Sequence, residues 1–248
     1  AKQHGMRAIV LKNHFEPTAS LAFLASKAVP GIDIFGGVTL NLSVGGMNPY
    51  AIEHLARVAG GKGRFVWMGS LDTEAQVRHD GRSRPFVAIS RNGKLLSDVI
   101  DVIEMIARYN LVLETGHSTP DEVLLLISEG RKRGVKQIVV THAMIAPIHM
   151  TNEQMMVAAA SGAWIEFVYN GLIGPHKEFG ICHYVNAIRA VGAEHCVLSS
   201  DLGQSANPPH PDGLIKYFED LIANGLTHTE IDLMSKKNPA LILGLDSQ

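Results

Sequence analysis

Three short apolar runs, each stopping on a residue able to hold a metal, constrain this chain more than any other feature. They are Leu111-Val112-Leu113-Glu114-Thr115-Gly116-His117, Gln137-Ile138-Val139-Val140-Thr141-His142 and Cys196-Val197-Leu198-Ser199-Ser200-Asp201. Each is rich in aliphatic or β-branched residues and short enough for a strand buried on both faces. Between His117 and His142 lies a helix-like stretch that opens at Thr119-Pro120-Asp121-Glu122 and closes between Gly130 and Gly134. The unit is therefore strand, helix, strand, with a candidate ligand ending both strands. Parallel strands joined by right-handed crossovers bring their carboxyl ends to one side, where side chains distant in sequence can meet.

The same alternation runs along the rest of the chain. Strands are expected at Met6–Leu11, Asp33–Leu40, Arg64–Met68 and Ala163–Tyr169, and helices over Pro17–Lys27, Pro49–Ala59, Leu96–Tyr109, Asn152–Ser161, Phe179–Val191, Pro211–Asn224 and Glu230–Met234. Ala75–Asp98 breaks the rhythm. Its polar first half, the apolar run Pro85–Ile89 and the turn Arg91-Asn92-Gly93-Lys94 read as an inserted loop and hairpin after strand four, a lid or a surface excursion. Seven strands are counted where a closed (β/α)8 barrel of the TIM type has eight. Ala1–Gly5 reads as the tail of a helix running into the strand at Met6, so strand one is expected upstream and the 248 residues form a single, N-terminally incomplete barrel domain.

Composition narrows the function class. A formal net charge of -2 offers no basic field for a nucleic acid or a membrane surface. The one basic run, Arg131-Lys132-Arg133, sits at a helix end where the dipole favours it. Two cysteines do not make a disulfide framework, and no apolar stretch is long enough to span a bilayer, so a cytoplasmic setting is expected. Gly36-Gly37 and Gly45-Gly46 lack the pattern of a phosphate loop, and no Gly-x-Ser-x-Gly elbow is present. A small-molecule substrate is the expected partner, and a homo-oligomer is compatible with the sequence.

Imidazole nitrogens and a carboxylate at successive strand ends suit zinc or a related divalent ion. His117 and His142 would donate nitrogens, and Asp201 would bind the ion, shuttle the proton of its water, or do both in turn. His14, at the mouth of the Met6 strand, is read as a ligand or substrate contact. Lys12 on that strand is read as a bridging carbamate, an anion anchor or an ion-pair partner. His210, in Asn207-Pro208-Pro209-His210-Pro211, is placed to touch substrate. His149, His176 and His183 are read as ordinary loop or helix residues. Glu114 is expected behind the ligands, and the direction of Glu166 is left open by strand twist.

The His117, His142 and Asp201 series resembles the metal-binding pattern of the amidohydrolase superfamily. Thr115-Gly116-His117-Ser118, Ser199-Ser200-Asp201-Leu202-Gly203-Gln204 and the closing Asn238-Pro239-Ala240 are similar to that superfamily as well. The resemblance implies a metal-dependent hydrolase of a poorly characterised branch, with one or two ions, zinc foremost and manganese or iron as alternatives. It implies cleavage of an amide, ester, lactone or related bond, with a decarboxylase or C–C bond hydrolase, or a non-catalytic binder that kept the fold, as alternatives. The superfamily's His-x-His of strand one is absent here, and in place of a bridging lysine or glutamate on strand four the chain offers Asp72 and Glu74.

Overall fold

The computed structural model describes residues 1–174 and 177–245, so His176 lies outside it. The chain divides into two compact units, Ala1–Val140 with Ala146–Ile148, and Thr141–Ile145 with His149–Gln248.

The first unit holds strands β1 (Ala8–Leu11), β2 (Asp33–Thr39) and β3 (Gly63–Trp67), the short pair β4 (Ser90–Arg91) and β5 (Lys94–Leu95), then β6 (Val112–Glu114) and β7 (Gln137–Val140). β1, β2, β3, β6 and β7 pair in that order, all parallel. Five helices alternate with them: α1 (Ala19–Ala28), α2 (Pro49–Arg57), α3 (Glu74–His79), α4 (Ser97–Arg108) and α5 (Pro120–Lys132). α4 shows why: Val99, Val102, Ile103 and Ile106 recur at helical spacing and are completely buried. Burying each contributes roughly 1.5–3 kcal/mol, more than the helix propensity lost to β-branching. α5 begins where the sequence places it, because Thr119 and Glu122 form a capping box with Pro120 in the first turn. Gly130 lets the same helix lie against the sheet, since a Cβ there would come within 2.9 Å of Ile138 Cδ1.

The hairpin residues pair over only two positions on each strand, Ser90 with Leu95 and Arg91 with Lys94. The stretch before them is not all loop. Thr73 caps α3 by accepting from the Gln76 backbone N–H at 3.2 Å, a helix the charged sequence there conceals.

The second unit holds the parallel pair β8 (Trp164–Val168) and β9 (Cys196–Ser199) with helices α6 (Asn152–Ala160), α7 (Ile181–Val191), α8 (His210–Ala223), α9 (His228–Asp232) and α10 (Asn238–Leu243). Tyr184 of α7 and Tyr217 of α8 are buried and donate to the Val168 and Phe167 carbonyls of β8. Burial pushes both phenols well above the ordinary tyrosine range, so they remain O–H donors at any physiological pH. The Asn-Pro-Ala segment has a structural task. Buried Asn238 donates to the Ala193 and Cys196 carbonyls at 3.0 and 2.8 Å, tying the last helix to the start of β9. No described helix is long and apolar enough to cross a membrane.

Cys196 is buried in β9, and burial, with Glu194 adding to it, pushes its thiol far up; Cys182 is exposed. An aromatic disulfide reagent is therefore expected to label Cys182 rapidly and Cys196 only after denaturation. Rapid labelling of both would show that β9 opens in the native state.

Candidate functional site

In the first unit the polar side chains gather at the carboxyl ends of the strands, around the loop Met68–Thr73 that follows β3. Two histidines hang on this loop. His14, just past β1, places Nδ1 2.7 Å from Ser70 Oγ. His117, just past β6, donates its backbone N–H to the Gly69 carbonyl at 3.1 Å, and its own carbonyl accepts from Thr73 Oγ1 at 2.9 Å. Its ring Nδ1 lies 2.6 Å from Gln76 Oε1, and Gln76 in turn donates from Nε2 to Asp80 at 2.7 Å.

Asn41, at the end of β2, holds the loop. Its Oδ1 accepts from the Ser70 and Asp72 backbone N–H groups at 2.8 and 3.2 Å, and its Nδ2 donates to the His14 carbonyl and Ser70 Oγ at 2.8 and 3.0 Å. Asn41, Ser70 and Thr73 are each only 1% exposed, so this is a satisfied buried network rather than a solvated loop. Lys12 sits with its ammonium 5.7 Å from the centre of the Trp67 ring, a cation–π arrangement.

The carboxylates weighed as bridging groups are engaged by arginines. Asp72 pairs with Arg84 at 2.5 Å and accepts the Leu42 backbone N–H. Glu74 pairs with Arg78 and Arg91. Burial acts to raise the Glu74 carboxyl, and the hydrogen bonds and charges of the two arginines outweigh it and hold it low. Glu114 is buried on β6.

In the second unit His142, Asp201 and His149 are non-glycine residues with positive φ, at 26°, 48° and 49°. Such backbone is rare outside glycine and costs on the order of 1–3 kcal/mol, so the surroundings must enforce it. Glu166 of β8 does this for His142. One carboxylate oxygen accepts the His142 backbone N–H at 2.9 Å, and the other accepts Ser199 Oγ from β9 at 2.7 Å. This settles the direction that strand alternation left open. Asn170 backs Asp201: its N–H donates to the Ser200 carbonyl at 3.2 Å and its Nδ2 approaches Asp201 Oδ2 at 3.4 Å. Asn207 completes the chain by donating to Asn170 Oδ1 at 3.1 Å.

His210 begins α8 and is half-buried. His149 pairs with Glu178 at 2.5 Å on the exposed side, as an ordinary loop residue does. Among the described residues, no three His, Cys, Asp or Glu side chains are grouped to hold a metal ion.

Ser70, Asn170 and Gln76 escaped the sequence reading. Gln76 had a signal: Thr73-x-x-Gln76 is the spacing of a capping box. Here the glutamine side chain turns away from the cap and supports His117 instead. Ser70 had none, since a serine after a strand is common.

Solved structures share this fold across nearly the whole chain. One is a probable 2-pyrone-4,6-dicarboxylic acid hydrolase from Acinetobacter baumannii with citric acid bound, with 14% identity, 98% of this chain and 86% of that one covered, and a TM-score of 0.64. Another is an amidohydrolase from Pseudomonas aeruginosa, with 12% identity, 98% and 79% coverage, and a TM-score of 0.61. A third is an amidohydrolase from Burkholderia multivorans with bound zinc, with 15% identity, 91% and 79% coverage, and a TM-score of 0.58. The chain thus shares the TIM-like fold of these structures, as the alternation of strands and helices led us to expect. A search of curated proteins finds no match. The model of one sequence family does match, over residues 1–166, and the chain belongs to that family, DUF6282, a family of unknown function.

Proposed function

We propose that this chain is a hydrolase of the amidohydrolase kind, cleaving an amide, ester, lactone or related bond of a small molecule. The observation that carries the reading is the pair His14 and His117, both at carboxyl ends of parallel strands and both fixed on the buried loop Met68–Thr73. Parallel α/β folds place their chemistry at that end, and a positioned imidazole is the commonest proton-transfer group.

In this reading His117 takes the proton of an attacking water, and His14 or Lys12 meets the oxygen on which negative charge develops. Lys12 also suits an anionic substituent on the substrate. Of the second unit's residues, Asp201 supplies a carboxylate for proton transfer and His142 an imidazole, each held in an enforced backbone conformation. His210 is assigned to substrate contact.

The zinc in the Burkholderia multivorans structure supports a divalent metal for this chain, with manganese or iron as alternatives. Its candidate holders are His117, His142, Asp201 and His14. The described residues do not group three such donors, and the steps above belong to side chains alone.

The test is a panel of small carboxylated esters, lactones and amides, assayed with the wild-type chain and with Asp201→Asn. Turnover of at least one class, lost in the variant, is expected. Ligand-induced thermal stabilisation without turnover of any of them would overturn the reading in favour of a non-catalytic binder.

A further inference from the structure

We infer that the first unit locks its two histidines in opposite tautomers, His117 with an unprotonated Nε2 that accepts a proton and His14 with an Nε2–H that donates one. Gln76 with Asp80, and Ser70 with Asn41, are the positioning residues. The inference rests on the reading above for its chemical meaning, though not for its geometry.

The assignment for His117 starts at Asp80. A carboxylate only accepts, so the Gln76 side-chain nitrogen, 2.7 Å from Asp80 Oδ1, must be the donor there. That turns the Gln76 amide oxygen to the histidine, 2.6 Å from its Nδ1. An amide oxygen also only accepts, so Nδ1 carries the proton. The neutral ring then has its lone pair on Nε2.

For His14 the argument runs through Asn41. Its Oδ1 is claimed by two backbone N–H groups, of Ser70 and Asp72, so its Nδ2 is the donor to Ser70 Oγ at 3.0 Å. The serine hydroxyl, 1% exposed, then has one direction for its own proton, toward His14 Nδ1 at 2.7 Å. A buried hydroxyl left without an acceptor is costly, so Nδ1 accepts and the ring proton sits on Nε2. Two chains of ordinary polar residues, both rooted in the segment Ser70–Asp80, thus set opposite polarities.

The consequence is a division of labour. His117 is prepared to deprotonate a water or hydroxyl, and His14 to polarise a carbonyl or phosphoryl oxygen without first being protonated. With its Nδ1 facing Ser70 and its Nε2 protonated, His14 presents a hydrogen-bond donor to the substrate. The substrate class that fits is a carbonyl compound whose oxygen becomes negative in the reaction.

The experiment is a long-range proton–nitrogen correlation spectrum of the imidazoles in nitrogen-15-labelled protein, above the ordinary histidine range of pH, assigned through bonds from the backbone. His117 is expected to show a protonated Nδ1 and an unprotonated Nε2, and His14 the reverse. The same tautomer in both rings, or either ring reversed, overturns the inference, and the wild-type spectrum decides this without any variant. Gln76→Leu is then expected to shift His117 alone toward the other tautomer and to lower kcat by about 10–100-fold with KM little changed. Gln76→Glu, which keeps an acceptor in place, is expected to restore most of the rate. Tautomers as expected with kcat unmoved in Gln76→Leu would instead overturn the hydrolase reading of His117.

Discussion

His117→Ala is expected to lower kcat/KM by about 10²–10⁴-fold, the range that a positioned proton-transfer group contributes, while the chain still unfolds in one cooperative step. The fold survives because most of what holds this position is backbone. The His117 N–H bonds Gly69 and the His117 carbonyl accepts from Thr73, and neither contact needs the ring. What is lost is the ring's bond to Gln76 and its packing, about 1–2 kcal/mol, or a few degrees in Tm for a chain of this size. His149→Ala is the matched control. Like His117 it follows a strand and has a side-chain hydrogen-bond partner, yet its side chain is half exposed and paired with Glu178. Turnover in the control should match wild type. Normal turnover in His117→Ala, measured on the same substrate, would remove the central group of the proposed mechanism.

The strands that position these residues were legible in the sequence because each carries its own signal. Val112 to Glu114 and Gln137 to Val140 are buried runs too short for helices, and Thr119, Pro120 and Glu122 mark the start of the intervening helix without help from tertiary contacts. His117 and His142 could be singled out because each ends such a run. What surrounds them could not be read in the same way. Ser70 meets His14 across 56 positions and Gln76 meets His117 across 41, and no local pattern encodes such a pairing. The helix α3 was hidden for a related reason. Its charged residues look like a solvated loop, and only the engagement of Glu74 by Arg78 and Arg91 shows that those charges neutralise one another. The resemblance to amidohydrolases pointed to a metal centre, while the residues within each unit display hydrogen-bonded imidazoles and carboxylates. Chemistry lives in the particular side chains rather than in the fold.

Gly116→Ala is expected to be the most damaging single-methyl change in the first unit. Gly116 has φ +61°, and a Cβ there would stand 2.0 Å from the Gly69 carbonyl oxygen. The obstacle is backbone, so no side-chain rotation relieves it. It is moreover the very carbonyl that accepts the His117 N–H, so the clash and the bond compete for one atom. Left-handed backbone costs an alanine about 1–2 kcal/mol, and forcing a methyl into a packed position adds about 1–3 kcal/mol, so the denaturant midpoint should fall by the equivalent of about 2–5 kcal/mol. Gly134→Ala separates the two causes. Its φ is +84°, but a Cβ there meets nothing within 4 Å, so only the conformational cost applies. The activities should diverge further than the stabilities do. Relief of the Gly116 clash must part the Gly69 loop from the β6 end, which carries His117 away from its set position, and a displacement of about 1 Å costs on the order of 10²-fold in rate. Equal midpoints and equal turnover in the two variants would mean that the glycine-to-glycine approach beneath His117 has no part in positioning it.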